Sequence, residues 1–370
     1  MSARIVLFGA TGYTGTLTAE RLVAQGARPV LAGRGEERLR ALAERLGGGL
    51  EVVQADALRR NSVFAAVGEG DVVVATVGPF AKYGDAAVRA AIAAGATYLD
   101  STGEPQFIRR VFEEFGPPAR RAGAALMTAM GYDWVPGSLA GALALEQAGE
   151  DAVAVDVGYF WLDGDPLGGM SEGTRESMVG ALLGDSHAFR GGRIVRVRGA
   201  EEVRRFEVEG RLREGVSVGS AEHFALPAAY PHLQEVGVYL GWFGPLARAV
   251  QAGSLATSVA ARLPGVRGVL QRAGERIAGL PGAPDPGTTP GGTSHVVGVA
   301  TNAAREPLAE VHLSGVDGYA FTAGFLAWAA EHAAAHGVEG AGALGPVEAF
   351  GLETLREGVE AAGIEVVSGA

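Results

Sequence analysis

The sequence predicts an α/β fold, in which a doubly wound parallel sheet is followed by a second α+β domain with a mixed or antiparallel sheet. Two observations predict it. Strands and helices alternate from Ala3 to about Met130, which is the pattern of a parallel sheet with crossover helices. After Gly131 the pattern becomes rich in strands, as in a domain with its own sheet. At 370 residues, the chain is long enough for both domains.

In the first domain, residues 1–130, short apolar runs alternate with segments of helical spacing. The run Val72–Val77 is apolar on both faces, as a central parallel strand requires. The predicted strands are 4–8, 29–32, 50–54, 71–77, 97–100 and 124–128. The predicted helices are 14–25, 36–46, 61–67, 84–94 and 105–122.

The second domain, residues 131–318, is expected to bind substrate or to mediate oligomerisation. Its last two strands are predicted to form a hairpin around Ala304–Pro307. The predicted strands are 153–162, 193–198, 203–208, 217–221, 233–240, 294–301 and 308–314. Helices are predicted at 172–183 and 244–278, and a loop rich in proline and glycine at 281–293. Two further helices, 319–336 and 346–362, are expected to return to the first domain, so that residues 319–370 pack on it.

A glycine-rich turn follows the first strand. Three glycines at three-residue spacing separate the apolar run Ile5–Phe8 from a segment of helical spacing. This is the sequence form of a dinucleotide-binding turn, in which glycines allow a tight bend and a close approach to a pyrophosphate at a helix N-terminus. The predicted cofactor-binding residues here are Gly9, Thr11, Gly12, Tyr13, Thr14 and Gly15.

The end of the second strand indicates which dinucleotide binds. An NAD enzyme has an acidic residue there for the ribose 2′-hydroxyl, whereas this chain has Gly33-Arg34, followed by Arg38. A guanidinium can form two charge-assisted hydrogen bonds with a 2′-phosphate. NADP(H) is therefore the predicted cofactor, with Arg34 as its specificity residue. Asp56, after the third strand, would lie beside the adenine or be an ordinary loop aspartate.

The composition of the chain argues against several classes of function. The net charge of −11 argues against a nucleic acid partner, because phosphate binding needs a concentrated basic surface. The chain has no cysteine, which excludes disulfides, thiolate catalysis and cysteine metal sites. No secretory leader precedes the first strand, and no run of eighteen apolar residues occurs, so a cytoplasmic location is expected.

Three blocks extend the pattern beyond the glycine turn: 77–84 (VGPFAKYG), 96–104 (ATYLDSTGE) and 131–137 (GYDWVPG). With them the chain resembles the saccharopine dehydrogenase-like oxidoreductases, and most of all the branch that includes trans-acting enoyl reductases of lipid biosynthesis. Ser171–Thr174 and Gly345–Phe350 match as well. The resemblance implies an NADP-binding Rossmann domain, a mixed α/β second domain and a cleft between them; it does not specify a substrate.

Catalytic candidates follow the predicted strand ends, where ligands of parallel sheets bind. Lys82, the only lysine of the chain, and Tyr83 could donate a proton or hydrogen-bond an oxyanion, or simply lie at the surface. The short-chain dehydrogenase dyad needs a tyrosine four residues before its lysine. Gly78 occupies that position, so this mechanism is excluded.

Three carboxylates complete the predicted catalytic set. Asp100 and Glu104 could bind an amine or the nicotinamide ribose, or Glu104 could begin a helix. Asp133 lies between two aromatic residues at the start of the second domain. Gly78, Pro79 and Phe80 are expected to let the backbone pass close to the cofactor, or to form a plain turn.

Other motifs are weak. Gly169–Gly173 matches G-x-S-x-G but follows a loop, so Ser171 or Thr174 is expected to cap a helix and could hold an anionic or carbonyl group of the substrate. His332 and His336 lack the glutamate of H-E-x-x-H, and no metal site is predicted. The stretch Val236–Leu280 could contact a membrane or lipid, or pack as an ordinary amphipathic helix.

These patterns predict an NADPH-dependent oxidoreductase that reduces a C=C or C=O bond of a lipophilic small molecule. One alternative is an amino-acid or imine dehydrogenase of the saccharopine kind, with arginines of the second domain binding substrate carboxylates. Another is a non-catalytic NADP-binding scaffold or redox sensor. The sequence leaves open whether the chain forms a homodimer.

Overall fold

The computed structural model describes residues 3–163, 185–260 and 292–367, and divides the chain into two compact units. The first unit contains residues 1–102, 107–135 and 318–363. The second contains residues 103–106, 136–317 and 364–370.

The first unit is built on a seven-stranded parallel sheet of described residues. The strands are β1 (Ile5–Phe8), β2 (Val30–Gly33), β3 (Val52–Gln54), β4 (Val72–Ala75), β5 (Thr97–Asp100), β6 (Ala125–Met127) and β15 (Gly342–Ala343). Their order in the sheet is β15-β6-β5-β4-β1-β2-β3, which is the doubly wound order with its switch point between β1 and β4. The predicted Rossmann architecture is confirmed, and β4 is buried along its whole length.

Helices connect these strands as predicted, with two interruptions. The predicted helix 105–122 contains a π-helical turn, Val111–Phe115, and the predicted helix 346–362 breaks at Gly351, where φ is +78°. The helices are α1 (Tyr13–Ala24), α2 (Glu36–Arg45), α3 (Arg60–Ala66), α4 (Phe80–Tyr83), α5 (Asp85–Ala94), α6 (Pro105–Arg110), α7 (Gly116–Ala122), α11 (Gly318–His336), α12 (Pro346–Phe350) and α13 (Leu352–Ala361).

The second unit is built on a mixed sheet. Its strands are β7 (Ala154–Trp161), β8 (Asp185–Arg190), β9 (Arg193–Arg198), β10 (Val203–Val208), β11 (Arg211–Ser217), β12 (Glu235–Leu240), β13 (Ser294–Thr301), β14 (Pro307–Gly315) and β16 (Ile364–Val367). Strand β7 pairs with β12 in parallel and with β13 in antiparallel orientation. Its described helices are α8 (Val135–Ala148), α9 (Glu222–Ala229) and α10 (Ala247–Ala260). The predicted mixed sheet and the β13–β14 hairpin are confirmed.

One strand prediction is wrong. The segment 217–221 leaves the sheet at Ser217, and Gly219 then packs so closely on Ser186 and Pro105 that no side chain would fit. Helix α9 follows. Sequence reasoning also missed α9 and four strands: β8, β11 (which ends at Ser217), β15 and β16. The last of these pairs with β14 at the far end of the chain.

Candidate functional site

The turn between β1 and α1 has the tight geometry that a dinucleotide requires. Gly9 has φ = +98°, and a Cβ there would lie 2.7 Å from Thr76 Oγ1. A Cβ on Gly15 would overlap the carbonyl oxygen of Gly9, so this glycine lets α1 approach the end of β1. The hydroxyl of Thr76 donates to the Gly9 carbonyl over 3.2 Å, which fixes the turn from the neighbouring strand.

The N-terminus of α1 is available to an anion. Gly12 is its N-cap residue and is exposed, and no side chain caps the first turn. That turn contains no acidic residue. Its amide groups and the positive end of the helix dipole therefore suit a pyrophosphate.

Arg34 stands directly after β2, exposed at the start of α2, and Arg38 lies one turn further on. The backbone of Arg34 is held by Gln54, whose amide donates to the Arg34 carbonyl over 2.9 Å. Neither guanidinium forms an ion pair within the described ranges. Both side chains therefore remain available to a ribose 2′-phosphate.

Asp56 is committed to a local turn. Its Oδ1 accepts a hydrogen bond from the backbone amide of Leu58 over 3.0 Å, and its own amide donates to Ser62. Its contact with adenine stays a prediction.

The segment after β4 contains a cis peptide bond between Gly78 and Pro79. The Phe80 side chain is buried and packs on Phe107, with ring centroids 5.6 Å apart. Any contact of Phe80 with the cofactor must therefore come from its backbone. Lys82 is exposed on α4, its Nζ 4.9 Å from the ring centroid of the half-buried Tyr83. Their catalytic roles stay predictions.

Asp100 is fully buried at the end of β5 and ties its own segment to the segment that follows β6. Its Oδ1 accepts from the amides of Thr102 (2.9 Å) and Ala129 (2.8 Å), and its Oδ2 accepts from the Thr128 hydroxyl (2.8 Å). Burial raises the pKa of Asp100 to about 6, although these hydrogen bonds oppose the rise. The geometry favours a positioning role over direct contact with substrate.

Glu104, predicted as a partner of Asp100, belongs to the second unit. It is buried in the short segment 103–106, in which Pro105 packs against Gly219. Asp100 and Glu104 therefore belong to different units.

Asp133 lies in the loop between β6 and α8, after the carboxyl end of the sheet. The residue is half-buried, yet its Oδ1 is buried and has no hydrogen-bond partner within the described ranges. Burial raises the pKa of Asp133 to about 7. A carboxyl group in this state can hold or release a proton near neutral pH.

Helix α11 connects this loop to the glycine turn. Thr322 Oγ1 accepts from the Tyr132 amide over 2.9 Å, and the Tyr319 ring makes an edge contact with Tyr13 at a centroid distance of 4.9 Å. Gly131 and Gly318 have no room for a Cβ, because Thr322 and the Tyr132 ring occupy that space. Sequence reasoning missed Tyr319 and Thr322, since nothing in the local pattern links residues so far apart.

The second unit has a polar cavity of about 190 Å³, lined by residues of β7, β8, β9, β11 and β12 and by Arg305. Its charged groups pair with one another. Arg190 binds Glu202, Arg305 binds Glu235 and Asp156, and Arg198 donates to backbone carbonyl groups. The cavity therefore leaves no arginine of its lining without a partner in the described part of the chain.

Some predicted features cannot be placed. The G-x-S-x-G match with Ser171 and Thr174, the helix 172–183 and the part of Val236–Leu280 beyond residue 260 lie outside the described residues. His332 packs on Trp328 at a centroid distance of 5.2 Å, and the described residues hold no metal-ligand cluster. None of the described helices is long and apolar enough to span a membrane.

Comparison with known sequences identifies the first unit. Residues 5–129 match the sequence profile of the saccharopine dehydrogenase NADP binding domain. The matched residues run from β1 to β6 and include the glycine turn and Arg34. This match indicates that the chain binds NADP(H).

Similar proteins include trans-acting enoyl reductases of mycobacteria. A candidate trans-acting enoyl reductase of Mycobacterium tuberculosis is 39% identical over 183 residues, which is 48% of this chain and 44% of the relative. A trans-acting enoyl reductase of Mycobacterium bovis is 41% identical over 140 residues, 36% of this chain and 34% of the relative. The matched segments thus cover less than half of the length of these relatives.

The fold resembles that of apo saccharopine dehydrogenase (L-Glu forming) from Saccharomyces cerevisiae. The TM-score is 0.58 at 14% identity, and the match covers 99% of this chain and 100% of the other. At this identity, the likeness concerns the fold alone.

Proposed function

We propose that this protein is an NADPH-dependent reductase of a C=C or C=O bond in a lipophilic small molecule, acting in the manner of an enoyl reductase. The identity of 41% over 140 residues with trans-acting enoyl reductases carries this proposal. The NADP-binding domain supplies the reducing cofactor.

The described residues fit this cofactor. The glycine turn and the first turn of α1 would hold the pyrophosphate, and the Arg34 guanidinium would hold the 2′-phosphate. When bound, NADPH supplies a hydride. The protein must then orient the acceptor and provide a proton at the strand ends where Asp133 lies.

The cavity of the second unit bears on the saccharopine-type alternative. An amino-acid or imine dehydrogenase would need arginines free to bind substrate carboxylates. Those of the cavity are already bound by Glu202, Glu235, Asp156 and backbone carbonyl groups. This observation favours the reduction of a lipophilic substrate.

A two-stage experiment tests the proposal. First, the protein is titrated with NADPH and with NADH while the nicotinamide fluorescence is measured. Then NADPH oxidation is followed with two probe substrates. One probe is the N-acetylcysteamine thioester of a trans-2-enoic acid, and the other is a 2-oxo acid mixed with an amino acid. We expect NADPH to bind preferentially and the enoyl thioester to be reduced. Oxidation with the second probe alone would establish the imine dehydrogenase instead, and binding without any turnover would favour the scaffold.

A further inference from the structure

The Asp133 carboxyl differs from the other carboxylates at the strand ends of the first unit. Asp56 accepts from a backbone amide, and Asp100 accepts three hydrogen bonds. Asp133 Oδ1 is buried without a partner in the described structure. Leaving a buried polar atom unpaired costs free energy, which is tolerated where a ligand or a reaction uses the atom.

The loop that carries Asp133 is held rigidly at its beginning. Ala129 adopts φ = +62°, a left-handed conformation that costs free energy for a residue with a side chain. Asp100 stabilises it, because its Oδ1 accepts from the Ala129 amide and its Oδ2 binds Thr128. After the loop, the Trp134 amide returns to the Ala129 carbonyl. The position of Asp133 thus depends on Asp100.

The same loop lies close to the cofactor turn. Tyr319 and Thr322 are three residues apart on α11 and therefore share one helix face. Tyr319 contacts Tyr13 at the start of α1, and Thr322 binds the amide of Tyr132, the neighbour of Asp133. On α11, the residue that contacts the pyrophosphate-binding turn and the residue that binds the Asp133 loop are therefore only one helical turn apart.

We propose that Asp133 is the catalytic residue that donates the substrate proton, and that Asp100 is the positioning residue of its loop. The inference rests on the proposed function, which it deepens by naming the residue that donates the proton.

The chemistry balances with NADPH as the reductant. Hydride adds to one end of the double bond, and the π electron pair moves to the other end. That atom takes the proton from the Asp133 carboxyl, which is left as a carboxylate and is reprotonated from solvent. The products are the reduced substrate and NADP⁺.

The surroundings keep this carboxyl protonated near neutral pH. Burial alone raises its pKa, with no charged group contributing. The titratable groups among the residues that contact this loop or lie within one turn of Thr322 are Asp100, which accepts from the Ala129 amide, Tyr132 in the loop itself and Tyr319 on α11. None of them carries a positive charge that would stabilise the carboxylate.

A carboxyl NMR titration tests the assignment without any substrate. The full chain is labelled with ¹³C at aspartate carboxyl groups, and the Asp133 resonance is identified by its absence from Asp133→Asn. We expect titration near pH 7 and a lower midpoint with NADP⁺ than with NADPH, because the oxidised nicotinamide ring is positively charged. A midpoint near 4, or one that neither cofactor form changes, would overturn the proposal.

Kinetics test the step itself. With the enoyl thioester probe, Asp133→Asn should bind NADPH as the wild type does but turn over about 10²–10⁴-fold more slowly. The wild-type rate should fall above pH 7, and the variant should lack this dependence. Asp151→Asn, at an exposed turn, is the matched control. Turnover by Asp133→Asn within threefold of the wild type sinks the assignment, whereas an inactive wild type that passes the NMR test sinks only the choice of reaction.

The positioning role of Asp100 has its own readout. Asp100→Asn can still accept from the amides of Thr102 and Ala129, so it should keep the pH profile and most of the turnover. Asp100→Ala cannot hold the loop, and its kcat should fall with little change in NADPH affinity. Equal behaviour of the two variants contradicts the positioning role.

Discussion

The strand ends of the first unit and the cavity of the second unit satisfy their polar groups differently. In the first unit, the N-terminus of α1 has no capping side chain, Arg34 has no ion-pair partner within the described ranges, and Asp133 Oδ1 is unpaired. In the second unit, Asp156 is buried against Arg204 and Arg305, and Glu235 also pairs with Arg305. Groups that are left open suit ligands, whereas groups that bind one another stabilise the fold.

The largest expected effect concerns the paired cluster. Asp156→Ala leaves Arg204 and Arg305 without their buried partner, and should lower the free energy of unfolding by about 3 kcal/mol. Urea denaturation measures this. Glu207→Ala, exposed on the same strand as Arg204, is the control and should change the stability by less than about 0.5 kcal/mol. If the folded Asp156→Ala protein bound NADPH more weakly than the wild type, the paired cluster would also serve cofactor binding, and the contrast between the two regions would fail.

The next effect is the pH dependence of stability from Asp133. The pKa of this carboxyl is 3.8 in its ordinary state and about 7 when folded, so the folded state holds the proton more tightly. The free energy of unfolding should therefore fall as pH rises from about 4 to 7. Asp133→Asn should lack this part of the decrease.

Denaturation of both proteins between about pH 4 and 8 measures the difference. Asp100 acts in the same direction up to about pH 6 in both proteins, so the difference between them isolates Asp133. Parallel curves would mean that the Asp133 carboxyl is ordinary.

The cofactor specificity of Arg34 follows. Arg34→Ala removes the charge-assisted hydrogen bonds to the 2′-phosphate and should weaken NADPH binding about 10–100-fold while leaving NADH binding unchanged. Arg40→Ala is the matched control, because Arg40 lies on the same helix and pairs with Glu36. Fluorescence titration measures the affinity of each variant for NADPH and NADH. If Arg34→Ala lost affinity for both cofactors equally, Arg34 would have no role in cofactor specificity.

The smallest expected effect is on the free energy of unfolding and concerns a glycine inside α10. Gly253 lies inside α10 with no atom within 4 Å of an added Cβ. Gly253→Ala should raise the free energy of unfolding by roughly 0.5–1 kcal/mol through helix propensity and leave cofactor binding unchanged. Thermal unfolding and a fluorescence titration measure the two effects, and a destabilised variant would mean that this helix face is covered.

Local patterns predicted the elements that depend on local chemistry. The strand β4 and the hairpin β13–β14 were predictable because a buried parallel strand and a tight turn have characteristic residues. The segment 217–221 was mispredicted because its valine and serine residues suit a strand, while Gly219 is required by distant contacts with Ser186 and Pro105. The short β16 has no signal apart from the strand that it pairs with.

By itself, the sequence determined the dinucleotide turn and the preference for NADP(H), because glycine conformation and the charge of Arg34 act over a few residues. Only the tertiary structure decided the states of the two carboxylates. Asp100 is satisfied by residues 28 and 29 positions away, and the Asp133 loop is held by Thr322, which is 190 residues from Tyr132. Burial and hydrogen bonding are properties of such distant contacts, so no local pattern could distinguish the positioning carboxylate from the one left to carry a proton.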